Sequence, residues 1–376
     1  MHFHVWTPNL FTLKGGILVY STFFLQALQN LYPDSKYDVF LKHDQKTPAN
    51  TPFLKQTHFH FAGSYPEQIR TEFFASQIIG RGILERPDLV IATHLHFAVA
   101  GYYLKTVTGV PYWAIAHGIE AWDIKNPILK KSLHEADRII CGSNYTREIL
   151  LRQEKIDPAK ISTLFNTFDH NRFQISSKPS HLLNRHNLQL SQSVILTVAR
   201  LSKSEGYKGY DQILFALPRI RQSIPDVHYV IAGEGDDRER VEKIIFDLGI
   251  GNCVTLAGFV AEKELNDYYN LCDVFAMPSK KEGFGIVYLE ALACGKPILA
   301  GNQDGAQDAL CNGMLGVLVN PDDVEAIADK LIQILQKIYP NPLLYQPQML
   351  RKEAINRFGF KSFQQTLGSY LRYQFS

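Results

Sequence analysis

Long apolar runs are missing from this sequence: no stretch approaches the roughly 20 residues that a bilayer-spanning helix needs. The opening residues Met1-His2-Phe3-His4-Val5-Trp6-Thr7-Pro8 lack the basic start and apolar segment of a secretory signal, so the expectation is a cytoplasmic protein. Charge of one sign is missing too. Lys and Arg total 39 against 37 Asp and Glu, a formal net of +2, and no global field argues for nucleic acid or a membrane. Cysteine is sparse. The five residues at 141, 253, 272, 294 and 311 show no paired metal-ligand spacing, and they read as buried thiols in a reducing compartment. A G-x-x-x-x-G-K-[ST] phosphate loop is absent, and so is an Asp-x-Asp motif.

What is present is enough chain for two cores: 376 residues, 45% hydrophobic and 20% charged, an ordinary globular balance. In the first half, Phe3 to Trp6 reads as a strand, and Gly15-Gly16 opens a helix from Ile17 to Leu31. Strand patterns recur at Tyr37 to Leu41, His58 to Phe61, Leu89 to Thr93, Tyr112 to Ala116, Arg138 to Gly142 and Ile161 to Leu164. Helical patterns lie between several of them, which predicts a parallel sheet covered on both faces. Ser176 to Ser193 reads as a linker. A second alternation follows at Val194 to Ala199, Tyr229 to Gly233, Val254 to Gly258, Val274 to Met277, Pro297 to Ala300 and Gly316 to Val319.

Ligands of open α/β sheets collect at the carboxyl ends of the strands, so polar residues at those ends carry the functional reading. Gly16 follows the first strand. His94 and His96 follow the strand ending at Thr93, and His117, Gly118 and Glu120 follow the strand ending at Ala116. The three histidines come with no Cys or carboxylate pattern that would support zinc. Arg200 ends the first strand of the second half, and Lys208-Gly209 opens the next helix. A guanidinium fork and a point charge at a helix start suit a diphosphate. Gly258-Phe259-Val260 ends a further strand.

The densest signal is the stretch Glu282-Gly283-Phe284-Gly285-Ile286-Val287-Tyr288-Leu289-Glu290, between the strand ending near Ser279 and a helix from Ile286 to Ala293. Glycines flanking Phe284 let backbone approach a ligand, and the N–H groups of Gly285, Ile286 and Val287 would form an anion site at the helix start. Carboxylates at 282 and 290 would repel a phosphate unless each binds something else. Sugar hydroxyls are the natural partner, because an ionised carboxylate accepts several short O–H bonds.

Glu282 and Glu290 reproduce the Glu-x7-Glu signature of retaining GT-B glycosyltransferases. The run from Glu282 through Cys294-Gly295-Lys296-Pro297 resembles glycosyltransferase family GT4, with a looser likeness to cyanobacterial polysaccharide glycosyltransferases of the heterocyst envelope pathway. The resemblance implies an α/β GT-B fold, two Rossmann-like doubly wound domains facing across a cleft. It puts an acceptor-binding domain at 1–175, with a helix over 356–376 packing back on it, and a donor-binding domain at 176–355. It implies that Glu282 orients the donor sugar, Glu290 holds the ribose and His117, in a His-Gly-x-Glu stretch, contacts the sugar. Arg200 and Lys208 would neutralise the leaving diphosphate, with Lys208 favoured over Lys203. Gly16, Val260, Gly283, Phe284, Gly285, Ile286 and Val287 would line the nucleotide-sugar site, and His94, His96 and Glu120 the acceptor.

The activity so implied is retaining, metal-independent hexosyl transfer from a UDP-sugar, with UDP-glucose favoured, to a carbohydrate or lipid-linked saccharide. No cofactor is expected. A lipid-linked acceptor would allow peripheral contact with the inner membrane. A sugar-nucleotide-binding regulatory module and a nucleotide-sugar epimerase of the same fold are the alternatives.

Overall fold

The computed structural model describes residues 1–12 and 15–375. The chain forms two compact units, the first from Met1–Thr167 together with the segment beginning at Phe360, the second from Phe168–Gly359.

The first unit is built on seven parallel strands: β1 (His2–Thr7), β2 (Lys36–Leu41), β3 (Thr57–Phe61), β4 (Leu89–Ala92), β5 (Tyr112–Ala116), β6 (Arg138–Cys141) and β7 (Ile161–Thr163). Their order is β3-β2-β1-β4-β5-β6-β7. Near-continuous apolar strands such as Leu-Val-Ile-Ala in β4 are what a sheet buried on both faces requires. Alternation divides the core. Leu89 and Ile91 of β4 join one apolar cluster with Phe3, Val5, Trp113 and Ile115, while Val90 and Ala92 join Trp6, Tyr112 and Ala114 on the other face.

The helix Gly16–Leu31 presents Tyr20, Phe24, Ala27 and Leu28 to the first of these faces, a helical period of apolar residues. The helix Phe360–Gln374 adds Phe363, Leu367 and Leu371 to the same cluster, with the rings of Tyr20 and Phe363 edge to face at 5.5 Å.

The second unit holds six parallel strands: β8 (Val194–Val198), β9 (His228–Ala232), β10 (Val254–Gly258), β11 (Val274–Met277), β12 (Ile298–Gly301) and β13 (Val317–Val319), in the order β10-β9-β8-β11-β12-β13. Both units therefore reverse direction next to their first strand, at β1/β4 and at β8/β11. Those are the switch points where an open parallel sheet leaves a crevice for ligand.

Three expectations are corrected. The anticipated linker at 176–193 is not a bare connection: it carries the helix Ser180–Arg185, whose Leu182 and Leu183 are buried. The division falls before Phe168 rather than at 175/176, because the intervening residues are tied to the second unit. Gln174 N–H donates to Asn266 Oδ1 at 2.8 Å, and the Arg351 guanidinium donates to the carbonyls of His170 and Phe173. The single helix expected over 356–376 is two elements. Pro347–Phe358 belongs to the second unit and Phe360–Gln374 to the first, interrupted at Gly359, whose extended backbone ends the first of them. Residue 376 lies outside the described residues.

Candidate functional site

In the second unit, the residues singled out by sequence fall on loops at the carboxyl edge of the sheet. Two of those loops flank the β8/β11 switch point. The loop after β11 runs from Pro278 to Gly285 and feeds the helix Ile286–Ala293. Gly285 is the cap of that helix at φ +87°, a left-handed conformation, and a Cβ there would lie 2.4 Å from the Tyr288 ring. Only glycine takes that geometry without displacing the aromatic ring beneath it. The Tyr288 N–H reaches back to the Gly285 carbonyl at 3.1 Å, while the N–H groups of Ile286 and Val287 have no intrahelical acceptor and no side chain of the capping residue covers them.

The loop is pinned by a residue the sequence reading passed over. Asp304, fully buried after β12, accepts from Ser279 Oγ and Glu282 N–H at 2.7 Å each and from Ala306 N–H at 3.0 Å. The Glu282 carbonyl accepts from Gly305 N–H at 2.9 Å. Both main-chain groups of Glu282 are thus held independently of its side chain. Burial outweighs these hydrogen bonds and pushes the Asp304 carboxyl up to about 6. Its one advance signal was an aspartate between glycines at a strand end, in Gly301-Asn302-Gln303-Asp304-Gly305.

The loop after β8 meets the same place. Its segment Lys203–Lys208 forms a short 3-10 helix whose Tyr207 carbonyl accepts from Lys280 N–H at 3.0 Å. Gly209, at φ +85°, packs so closely on the Pro278 carbonyl that a Cβ would lie 2.2 Å from its oxygen. This clamp delivers Lys208 to Glu282, and the two side chains, each 16% exposed, form an ion pair. Burial opposes the charge on Lys208, but Glu282 beside it more than compensates and holds the ammonium above its ordinary value. The Lys203 main-chain N–H donates to Asp236 Oδ1 at 3.0 Å. Arg200, 78% exposed, pairs with Glu205. Both cations expected at a diphosphate are therefore paired with carboxylates.

Glu290 lies one turn into the helix and accepts from the buried Tyr269 hydroxyl at 2.6 Å. Burial lifts its carboxyl to about 7, against the pull of that hydrogen bond. The phenol leaves the second carboxylate oxygen for another donor. Val260 follows β10, whose end is stitched to β9 by the Gly233 N–H to Gly258 carbonyl bond at 2.9 Å.

In the first unit, His117 follows β5 and His94 follows β4, neighbours in the sheet. His117 Nε2 lies 2.7 Å from the Thr93 carbonyl, so the proton sits on Nε2 and Nδ1 is the acceptor left for a ligand hydroxyl. Tyr20 packs edge-on against this ring at 5.0 Å. Glu120, expected at an acceptor, receives the His117 N–H and so holds this turn. His94 caps a short turn by accepting from His96 N–H at 3.3 Å, and burial lowers its imidazole to about 4. His96 is exposed, and Gly16 opens its helix behind Gly15. A second buried aspartate, Asp44, gathers the N–H groups of Leu10, Phe11 and Thr12 beside that turn.

Two family models match this chain. One, described as Glycosyltransferase Family 4, covers residues 15–172, and the other, described as Glycosyl transferases group 1, covers residues 181–353. Both parts of the chain thus match models of glycosyltransferases.

Among curated relatives of this chain is a GDP-mannose-dependent alpha-(1-6)-phosphatidylinositol monomannoside mannosyltransferase of Mycobacterium tuberculosis. It is 38% identical over 146 residues, 37% of this chain and 38% of the relative. The protein of the same name from Mycolicibacterium smegmatis is 31% identical over 235 residues, 59% of this chain and 60% of the relative. These matches thus span less than two thirds of the relatives' own length. Among solved structures, sucrose-phosphate synthase from Thermosynechococcus elongatus superposes with a TM-score of 0.81 at 20% identity, covering 100% of this chain and 99% of that one. HepE of Anabaena, in complex with UDP-glucose, gives 0.77 at 20% identity over 99% and 100% of the two chains. At that identity the likeness concerns the fold, which is GT-B.

Proposed function

We propose that this protein transfers a hexose, with retention of anomeric configuration and without a divalent metal, from a nucleoside-diphosphate sugar to a hydroxyl of a carbohydrate or lipid-linked saccharide in polysaccharide assembly. The observation that carries the reading is the Asp304-pinned loop. It holds the Glu282 carboxylate, the Lys208 ammonium and an open helix N-terminus together at the β8/β11 switch point. Cation and helix end favour the diphosphate, and the carboxylates favour sugar hydroxyls.

In this reading the diphosphate draws Lys208 away from Glu282, and the freed carboxylate accepts from the hexose. Glu290 accepts from the ribose beside Tyr269, while Arg200 leaves Glu205 for the phosphates. The bond between the anomeric carbon and the phosphate oxygen breaks, and the acceptor oxygen bonds to that carbon on the same face. The acceptor proton passes to the leaving phosphate, whose charge is offset by Lys208, Arg200 and the helix N-terminus. His117 Nδ1 accepts from a sugar hydroxyl.

UDP-glucose is the donor we favour. The names of the mycobacterial relatives support GDP-mannose as a second reading. Calorimetric titration with UDP, GDP, ADP, UDP-glucose and GDP-mannose in EDTA separates the two, followed by turnover with saccharide acceptors. Tight binding of one nucleotide in chelator is expected. Activity abolished by EDTA and restored by manganese would overturn the metal-free mechanism, and turnover of the nucleotide sugar with no acceptor would favour an epimerase.

A further inference from the structure

The amino edge of the first unit's sheet, the edge away from Gly16, His94 and His117, gathers a second set of chemically active side chains. His2 and His4 lie two residues apart on β1 and so share a face, and Asp38 stands beside His4 in the register of β2. The helix Glu67–Glu85 brings its last residue to the same face. One ligand atom from each of His2, His4, Asp38 and Glu85 lies within 4.8 Å of all the others.

The separations suit a small cation. Asp38 Oδ2 is 2.8 Å from His2 Nε2, and Glu85 Oε2 is 3.0 Å from His4 Nε2 and 3.8 Å from His2 Nε2. A tetrahedral zinc ion with bonds of about 2.0–2.1 Å needs edges of roughly 3.3 Å, so these distances bracket the requirement. Each carboxylate also has its far oxygen occupied from outside. His60 Nε2 holds Asp38 Oδ1 at 2.7 Å, and Arg81 holds Glu85 Oε1 at 2.7 Å. Outer partners of that kind orient metal-ligating carboxylates.

A cation already uses this place. The Lys36 ammonium lies 3.0 Å from Asp38 Oδ2 and 3.8 Å from Glu85 Oε2, on a stem whose side chain is half in solvent and free to withdraw. A hollow of about 570 Å³, lined in part by Lys36, Asp38, His60, Arg81 and Glu85, gives an ion a way in. We propose that His2, His4, Asp38 and Glu85 form a binding site for a divalent transition metal of the zinc class, which displaces Lys36 and ties β1, β2 and the helix Glu67–Glu85 together. Two imidazoles and two carboxylates suit zinc better than calcium or magnesium, which favour all-oxygen sets. This site is separate from the proposed transfer chemistry.

The test uses the full chain, free of any polyhistidine tag and stripped with EDTA. Zinc chloride is titrated by calorimetry after the chelator is removed, and unfolding temperature is followed with and without zinc. One saturable site per chain and a zinc-dependent rise in Tm are expected. His4→Ala removes a fully buried side chain and can unfold the unit, so Glu85→Gln and His2→Gln carry the test. Each should weaken zinc by about tenfold or more, with the circular dichroism of the wild type retained. Lys36→Met should tighten zinc, because the competing ammonium is gone. Absence of saturable binding, or binding unchanged in Glu85→Gln and His2→Gln, would overturn the proposal. So would weaker zinc binding in Lys36→Met.

Discussion

Truncating Glu282 separates the two halves of the proposed donor site, and the structure sets the size of the effect. The Glu282→Ala side chain loses its hydroxyl acceptor and its pairing with Lys208, but its N–H stays on Asp304 and its carbonyl on Gly305. The loop and the helix N-terminus therefore persist. A hydrogen bond to a charged group contributes about 1.5–3 kcal/mol, so kcat/KM for the nucleotide sugar should fall roughly 10- to 150-fold. Affinity for the bare nucleoside diphosphate should stay within about tenfold, because Lys208 no longer has to leave a partner to reach the phosphates.

Stability should drop as well. The ammonium, 16% exposed, loses its counter-charge, a penalty of about 1–3 kcal/mol that its flexible stem limits by reaching solvent. Glu282→Gln, which keeps an acceptor without charge, should lie between the two. The assays are calorimetry with diphosphate and with intact donor, steady-state kinetics and thermal melting. If the diphosphate loses as much affinity as the donor sugar in a folded variant, the division of roles is wrong.

Three further outcomes follow from the same loop. Asp304→Ala orphans two N–H groups in a buried place and leaves the Ser279 hydroxyl only Tyr288, and should cost about 2–4 kcal/mol in denaturant unfolding, with donor binding lost alongside; an unchanged midpoint would refute its pinning role. Gly285→Ala forces a side chain into a left-handed backbone against the Tyr288 ring and should destabilise by about 1–3 kcal/mol while misplacing the helix N-terminus, as melting and diphosphate titration would reveal. Glu290, raised to about 7 from an ordinary 4.5, opposes folding once ionised, so the stability advantage of Glu290→Gln should grow from pH 4.5 to about 7 and then level. Over that window wild-type nucleotide affinity should rise with pH relative to Glu290→Gln, since the ionised carboxylate is the better hydroxyl acceptor; parallel profiles would sink the ribose assignment.

Much of the architecture was legible because both sheets are parallel and their inner strands are buried on two faces, which makes strands such as Leu89–Ala92, Tyr112–Ala116 and Val274–Met277 stand out as apolar runs. The loop around Glu282 was legible for a different reason: its glycines and carboxylates are contiguous in sequence. Asp304 was not, since an aspartate whose work is to accept main-chain N–H groups from a loop more than twenty residues away looks like any other turn residue. The pairing of Arg200 with Glu205 was equally hidden, because a charge run reads the same whether its members face a ligand or each other. The bond from His117 N–H to the Glu120 carboxylate was hidden for the same cause. The cluster of His2, His4, Asp38 and Glu85 joins residues from three separate elements, and no local spacing announces it.

The interruption at Gly359 bears on how this chain is made. The second unit is continuous from Phe168 to Gly359, whereas the first lacks its final helix until residues beyond 359 have left the ribosome. During synthesis the second unit can therefore be complete while the first still exposes the side chains of Tyr20, Phe24 and Leu28 that Phe363, Leu367 and Leu371 later cover. Nascent chains held at that stage present an apolar stripe suited to chaperones, and the helix Phe360–Gln374 later closes the core of the segment that was translated first.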